Sequence, residues 1–472
     1  MAGIFQKLLY VDLSKGLIGE ETLPLTWYKE FIGGQGVGFQ YLFEDFRLKK
    51  PILKDPIIIM TGPLTGSPIS ATSKASIISY LQEHDELHLS SIEGKFPAYL
   101  KLAGFDGLVL TGRSEKPVIL EIAHKESKLV NAEKLWGLDV ITTEKKIKKD
   151  NQDLSTFIIG PQGENLNPYA TVIADQFINA GPGIGRHIGI KKLKAISVRA
   201  DWELDIDAEM TNFSPALCAY SNKFFIKDHS YKNRRTCFGC IVGCGLFDEN
   251  QNFIMIEDDL RHLEKLLPDL TQDLLSGFYK ECLKDGVDVF AAARFASNQN
   301  LTTIANENSA AIFTKEQDQT AHLWEDAQLA TNQEYTDLVF KNFQSCDGLV
   351  QRENIAMVKN CMPICNRWDM SLDDMTLFLD KITAIRYNKE DLITAGEKTI
   401  DITMGFYNAI HYSPIDLKQK HYQSVRLPKM LIENIKDYIR IRNWEETGYP
   451  SKVRLKALGV PSSILNRAYT TP

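Results

Sequence analysis

The sequence predicts an α+β multidomain protein, with a β-rich N-terminal domain over residues 1–208 followed by mainly α-helical domains over 209–472. Three observations lead there. Up to about residue 205, short β-rich runs alternate with turn residues. After about residue 210, glycine thins out, strand-like runs nearly vanish, and apolar residues recur at helical spacing. The stretch Cys237-Phe-Gly-Cys240-Ile-Val-Gly-Cys244 then supplies a group of thiols that can organise the second half around one centre.

The strand expectations are, in order, Lys7–Leu13, Pro56–Met60, Ala75–Tyr80, Gly107–Thr111, Val118–Ile122, Ser155–Ile159 and Ala195–Arg199. Each is rich in β-branched or aromatic residues. Ser14-Lys-Gly16, Thr61-Gly-Pro63 and Gly160-Pro-Gln-Gly163 read as turns between them. Short helices fit near Trp27–Phe31 and Pro97–Leu102. In the second half, Ile256–Leu267, Leu270–Asp285, Leu372–Thr383, Lys389–Ile402 and Lys429–Trp444 carry the helical period. Residues 298–354 are polar and read as irregular helices and surface loops. No internal repeat or low-complexity tract is present.

Cys237, Cys240 and Cys244 stand at C-x2-C-x3-C spacing. Thiolates hold iron–sulfur clusters, four being usual for [4Fe–4S], so a fourth must come from elsewhere. Cys361-Met-Pro-Ile-Cys365 offers two candidates. Zinc is the main competitor, since structural zinc sites also use short cysteine pairs. A third cysteine after only three residues suits a cluster better, and a loop without metal is the remaining alternative. With 8 Cys in 472 residues, the chain is too sparse for a disulfide scaffold. Cys218, Cys282 and Cys346 read as ordinary buried thiols.

Hydrophobic content of 44% and charged content of 24% are those of a globular chain. A net charge of -7 argues against a nucleic-acid partner, whose footprint is basic. It likewise gives no reason to expect an anionic membrane surface. The N-terminus lacks the features of a signal peptide, and no apolar run approaches bilayer length. A reduced cytoplasm is the expected location.

Three glycine clusters remain: Gly33-Gly-Gln-Gly-Val-Gly38, Gly160-Pro-Gln-Gly-Glu-Asn165 and Gly181-Pro-Gly-Ile-Gly185. Each reads as a tight turn, and turns of this kind can also receive phosphate on backbone N–H groups. The spacing is not that of a dinucleotide-binding Rossmann turn.

With these motifs in order, the chain resembles the tungsten-containing aldehyde:ferredoxin oxidoreductases. The resemblance rests on Phe31–Gly38, Thr61-Gly-Pro-Leu-Thr-Gly66, Leu102-Ala-Gly-Phe-Asp106, Leu135-Trp-Gly-Leu-Asp139, Ile159–Asn165, Lys192–Ile196, the cysteine loop, Asp391–Glu397 and Arg442–Pro450. It implies a saddle-like β domain closed over by helical domains, with a bis-molybdopterin tungsten or molybdenum centre beside a [4Fe–4S] cluster. It implies aldehyde oxidation, with electrons passing to ferredoxin or another electron-transfer protein, and relatives of this kind are often homodimers. By resemblance, Cys237, Cys240, Cys244 and Cys365 are the cluster ligands, with Cys361 a close alternative to the last. Gly34, Gln35, Gly36, Lys74, Ser91, Gly181, Gly183 and Gly185 fall at cofactor-binding positions.

The departures from the family lie at that cofactor. Gln35 and Lys74 stand where the family has arginine, Ser91 where it has a magnesium-binding asparagine, and Ala180-Gly-Pro-Gly183 where it has Ala-Gly-Arg-Gly. Arginine suits phosphate through its planar fork, and Arg186 and Lys191 are the nearby cations that could compensate. Asn360–Cys365 replaces the family's Asp-x-x-Gly-Leu-Cys. The second pterin loop is absent, and the stretch from Gly286 to Cys361 is short. The family's acid falls near Glu257–Asp259, which also reads as a solvated helix face. Two functions are therefore expected in competition: an oxidoreductase acting on an aldehyde or oxo group, or a non-catalytic paralogue serving as an electron-transfer or structural subunit.

Overall fold

The computed structural model describes residues 3–48, 53–67, 69–124, 126–176, 178–200, 233–235, 237, 245–247, 253–256, 263–267, 270–298, 346–365, 370–410 and 436–469. The expected boundary at 208/209 lies outside these residues, as do Cys240, Cys244, Glu257–Asp259 and most of the polar 298–354 segment.

Two six-stranded sheets form the first half. The first contains β1 (Lys7–Asp12), β2 (Leu17–Thr22), β3 (Ile57–Thr61), β4 (Lys74–Leu81), β5 (Glu86–Glu93) and β6 (Gly107–Thr111), in the order β2-β1-β6-β3-β4-β5. The second contains β7 (Val118–Ile122), β8 (Lys128–Asn131), β9 (Ser155–Ile159), β10 (Val172–Ala174), β11 (Ile178–Asn179) and β12 (Leu193–Val198), in the order β11-β10-β9-β12-β7-β8. Pairing is antiparallel except for β1 with β6 and β12 with β7.

The unbroken apolar runs follow from burial on both faces. Ile57 and Ile59 point with Leu9, Ile77 and Leu108 into a core shared with Phe157, Ile159 and Ile196 of the second sheet. Ile58 and Met60 alternate to the opposite face, as a strand requires. There they meet Ile78, Val109 and helix α2 (Gly34–Arg47). The outer face of the second sheet, with Ile119, Ile158 and Ile173, is covered by Leu275, Tyr279 and Cys282. The protein is thus an α+β fold, with a two-sheet domain whose outer faces are covered by helices. Cys282 is a fully buried thiol, as its reading as a core residue requires.

The remaining helices in the first half are α1 (Leu25–Phe31), α3 (Phe96–Leu102), α4 (Val140–Ile147), α5 (Pro161–Glu164) and α6 (Ile184–Ile190). In the second half come α7 (Gln272–Asp285), α8 (Val289–Asn298), α9 (Cys346–Cys361), α10 (Leu372–Thr383), α11 (Lys389–Ala409), α12 (Lys452–Ala457) and α13 (Ser462–Tyr469). Ser371 and Asn388 cap α10 and α11 with full capping boxes, which is why both start where the periodicity does.

Several readings are corrected. The cluster at 33–38 is the first turn of α2 rather than a loop, and Pro161–Gly163 is a helical turn. Strands do not vanish after residue 210, since β13 (Asn233–Arg235), β14 (Gly245–Phe247) and β15 (Phe253–Ile256) form an antiparallel sheet. Ile256 therefore ends a strand, and the described helical residues of the expected 256–267 helix are 263–266. Of the expected 429–444 helix, 436–441 are helical among the described residues, and Trp444 instead bridges Pro450. No helix among the described residues is long and apolar enough to cross a membrane.

The two halves join where Gly160 meets the backbone of Asp285 and Gly286. Thr171 N–H donates to Gly286 O (2.8 Å), and Asp288 N–H to Tyr169 O (2.9 Å). Burial, with nearby Glu281, pushes the Asp285 carboxyl up to about 6 despite Lys284. Its Oδ2 is buried without a hydrogen-bond partner. A carboxyl raised above its unfolded value near 3.9 adds stability below that value and loses it as pH rises through the folded one. Asp285→Asn should therefore raise the melting temperature at pH 7 and flatten its dependence between pH 4 and 6. An unchanged profile on thermal denaturation would show that this carboxyl is not the cause.

Candidate functional site

Several of the expected site residues gather on one seam. Strands β4 and β5 pair so that Ser76 lies opposite Ser91, and Lys74 opposite Glu93. Directly opposed residues share a face, so Lys74, Ser76 and Ser91 look the same way. Onto that face comes the end of α9 and the turn after it. Ser76 Oγ donates to Asn360 O (2.8 Å), and the buried Lys74 amine to Ile364 O (3.4 Å). Cys365 N–H donates to Ala71 O (2.8 Å).

The first glycine cluster closes the same seam. Ile32, fully buried, sits at φ 68, a position rarely taken by a β-branched residue. It turns the chain into Gly34 (φ 45), which lies against Asn360 O, Cys361 O and Pro363 Cδ. Gly62 lies against the Met362 carbonyl. Gln35 Nε2 donates to Thr403 Oγ1 (3.2 Å), while Gly36 packs on Phe31 and Thr399. Thr399 and Thr403 were missed from the sequence. Two threonines four apart in an apolar helix, each returning its hydroxyl to the previous turn, are the signal that marks them.

The third cluster lies on the other face of β5, while Gly160 of the second meets Asp285 and Gly286. Ser90, one residue from Ser91, donates to Ala180 O. Gly181 and Gly183 take φ 84 and 88, and Gly183 caps α6. Their N–H groups are already used. Gly181 N–H donates to Asn179 Oδ1 (2.5 Å), and those of Gly183 and Gly185 to Ala170 O (2.9 and 3.1 Å). The space beside Gly185 is filled by the Ala170–Thr171 backbone.

The cysteine loop connects β13 to β14, whose ends face each other at Arg235 and Gly245. Cys237 is half-buried and packs against the core between the two large sheets. Cys365 is half-buried and packs beside the cluster of Ile32, Leu64, Ile69 and Met362. Cys361 differs. It is wholly buried, its Sγ lies 3.3 Å from Thr399 Oγ1, and burial pushes its thiol up to about 11.

Cys237 and Cys365 thus keep partial exposure, while Cys240 and Cys244 lie outside the described residues. At the third cluster the glycine N–H groups of 181–185 are taken by the protein's own acceptors. The compensating cations are also committed. Arg186 Nη1 bonds both Glu86 oxygens (3.1 and 2.9 Å). Lys191, buried, donates to Gly112 O (3.0 Å) and reaches Lys54 O (3.5 Å).

Comparison with known proteins adds a second line. Residues 8–200 match the family described as aldehyde ferredoxin oxidoreductase, N-terminal domain. A tungsten-containing aldehyde ferredoxin oxidoreductase of Pyrococcus abyssi is 33% identical over 211 residues, covering 44% of this chain and 35% of that protein. The aliphatic sulfonate oxidoreductase, WOR-like subunit, of Pyrococcus furiosus is 29% identical over 218 residues, covering 42% and 35%. The chain thus spans about a third of the length of the curated relatives it matches. Among solved structures, the active site complex BamBC of benzoyl coenzyme A reductase, in complex with 1,5-dienoyl-CoA, superposes with a TM-score of 0.79 at 16% identity. That alignment covers 100% of this chain and 99% of that one, and it is a likeness of fold.

Proposed function

We propose that the chain is a divergent and shortened member of the aldehyde ferredoxin oxidoreductase family, which its residues 8–200 match, and that it is an oxidoreductase working through an iron–sulfur cluster. Cys237, Cys240, Cys244 and Cys365 hold a [4Fe–4S] cluster, which when bound carries single electrons. An aldehyde or oxo group is the electron donor, and ferredoxin or another electron-transfer protein is the acceptor. Residues 1–208 form the β-rich domain, and residues 209–472 the helical domains that carry the cysteines.

One observation supports this most. Lys74 and Ser76 grip the backbone at Ile364 and Asn360, so Cys365 leaves a fixed turn at the seam. Cys361 is turned away onto Thr399 with its proton retained, which favours Cys365 as the fourth ligand. In Cys365→Ser the brown absorption of anaerobically purified protein should fall away, and in Cys361→Ser it should remain. Loss in Cys361→Ser alone would reverse the assignment.

A second reading, a non-catalytic paralogue serving as an electron-transfer or structural subunit, is favoured by the committed glycine N–H groups and by the pairing of Arg186. Elemental analysis separates the two. Roughly four irons with one tungsten or molybdenum per chain indicates the enzyme, and four irons alone the paralogue. Zinc alone ends the redox role in both.

A further inference from the structure

Away from the seam, at the free edge of the first sheet, three side chains with metal-ligand chemistry meet. Glu86 and His88 are two apart on β5, hence on one face. His187 reaches them from α6. The donor atoms of all three lie within 4.8 Å of one another. Glu86 Oε1 is 2.5 Å from His88 Nε2 and 3.6 Å from His187 Nε2. The two imidazoles stand edge to face, with centroids 4.6 Å apart.

The decisive atom is His187 Nε2. The residue is 1% exposed, and this nitrogen has no hydrogen-bond partner. Its other nitrogen, Nδ1, is 2.5 Å from Ser79 Oγ, on the strand position opposite His88. When Nδ1–H donates to Ser79, Nε2 presents a lone pair toward the carboxylate, an arrangement that a cation between them completes. A metal-bound histidine is held in this way by a hydrogen bond from its second nitrogen. Leaving such a nitrogen buried and unpaired is otherwise costly. Burial also keeps His187 neutral, the form that binds metal, with its pKa lowered to about 3.

We propose that Glu86, His88 and His187 form a binding site for a divalent zinc-like ion that ties β5 to α6. A tetrahedral zinc with ligands at about 2.0–2.1 Å spaces its donors roughly 3.3 Å apart. The carboxylate and His88 then open slightly, and His187 closes in. Arg186 grips both oxygens of Glu86 and orients the carboxylate, and its side chain is 25% exposed, so solvent screens its charge against the ion. The fourth position belongs to water, on the half-buried side of Glu86. The competing arrangement is a purely hydrogen-bonded triad, with a proton shared among the three groups.

The test uses the full chain with zinc alone as probe. The cysteine loop can also take zinc, so the readout is a difference. After dialysis against zinc, wild type should retain one more equivalent per chain than the His88→Gln/His187→Gln variant. Cobalt loaded the same way should lose its nitrogen- and oxygen-ligated visible bands in that variant and keep its sulfur charge-transfer bands. Equal zinc in both proteins would overturn the proposal. Should the variant not fold, anomalous diffraction at the zinc edge from soaked wild-type crystals decides. A peak between the three side chains supports the site, and no peak there refutes it.

Discussion

Gly34→Ala should be among the most damaging single substitutions in the chain, costing about 2–6 kcal/mol and the iron–sulfur absorption together. Two independent penalties add. Gly34 sits at φ 45, where a side chain is strained by about 1–3 kcal/mol. A Cβ there would also lie 2.8 Å from Pro363 Cδ and 2.9 Å from Cys361 O, and closer still to Asn360 O. Backbone cannot yield as a flexible side chain would, so overpacking adds about 1–3 kcal/mol. Relief must come from moving residues 360–363, which immediately precede Cys365. The coupled loss is what distinguishes this from ordinary destabilisation. Gly277→Ala is the control, because Gly277 is exposed on α7 with no atom within 4 Å of a built Cβ. It should gain about 0.5–1 kcal/mol from helix propensity. Denaturant unfolding and visible spectra of both variants suffice. A Gly34→Ala protein with wild-type stability and colour would mean that the seam is not packed as described.

The second large effect is expected at Asp106, the last residue of the Leu102–Asp106 motif. Its carboxylate, fully buried, accepts from the N–H groups of Phe5 (3.0 Å) and Gln6 (2.7 Å), from the Tyr28 hydroxyl (2.6 Å), and from the buried Lys101 amine. Removing one partner of a buried ion pair strands the other charge, which costs about 3–5 kcal/mol. Asp106→Ala should fall in that range. Lys101→Met added to Asp106→Ala should recover part of the loss, because the stranded amine is gone. A double-mutant cycle measures the coupling, expected at about 1–3 kcal/mol. Additive losses would show that the pair does not act as a unit.

Asp106 also illustrates what could be read from the chain alone. Its motif was recognised, but its role as the anchor of the N-terminus was not, because the partners Phe5 and Gln6 lie about a hundred residues away. Strands buried on both faces, such as Ile57–Thr61 and Ser155–Ile159, show as unbroken apolar runs and were placed within a residue. Helix α10 was placed to the residue by its period. Helix α2 is hidden by Gly34, Gly36 and Gly38, poor helix formers against which Asn360, Thr399 and Ile78 press in turn. Strand β13 reads Asn-Arg-Arg and has no β pattern to find. The seam itself joins Ser76 to Asn360 across 284 positions, a contact no local pattern encodes. The burial that distinguishes Cys361 from Cys365 is likewise not written in the local sequence.

The outer face of the first sheet has a consequence for the order in which the chain is made. Ile58, Ile78, Tyr80 and Val109 are covered by α2 and also by Phe406, Leu455, Ile464 and Leu465. A ribosome delivers those last four long after the sheet has emerged. Until then the nascent protein carries a finished but half-bare sheet, the kind of surface that aggregates or is held by chaperones. Productive folding waits on the final helices, and a transcript cut before residue 450 should yield insoluble protein even though every strand of both large sheets is encoded.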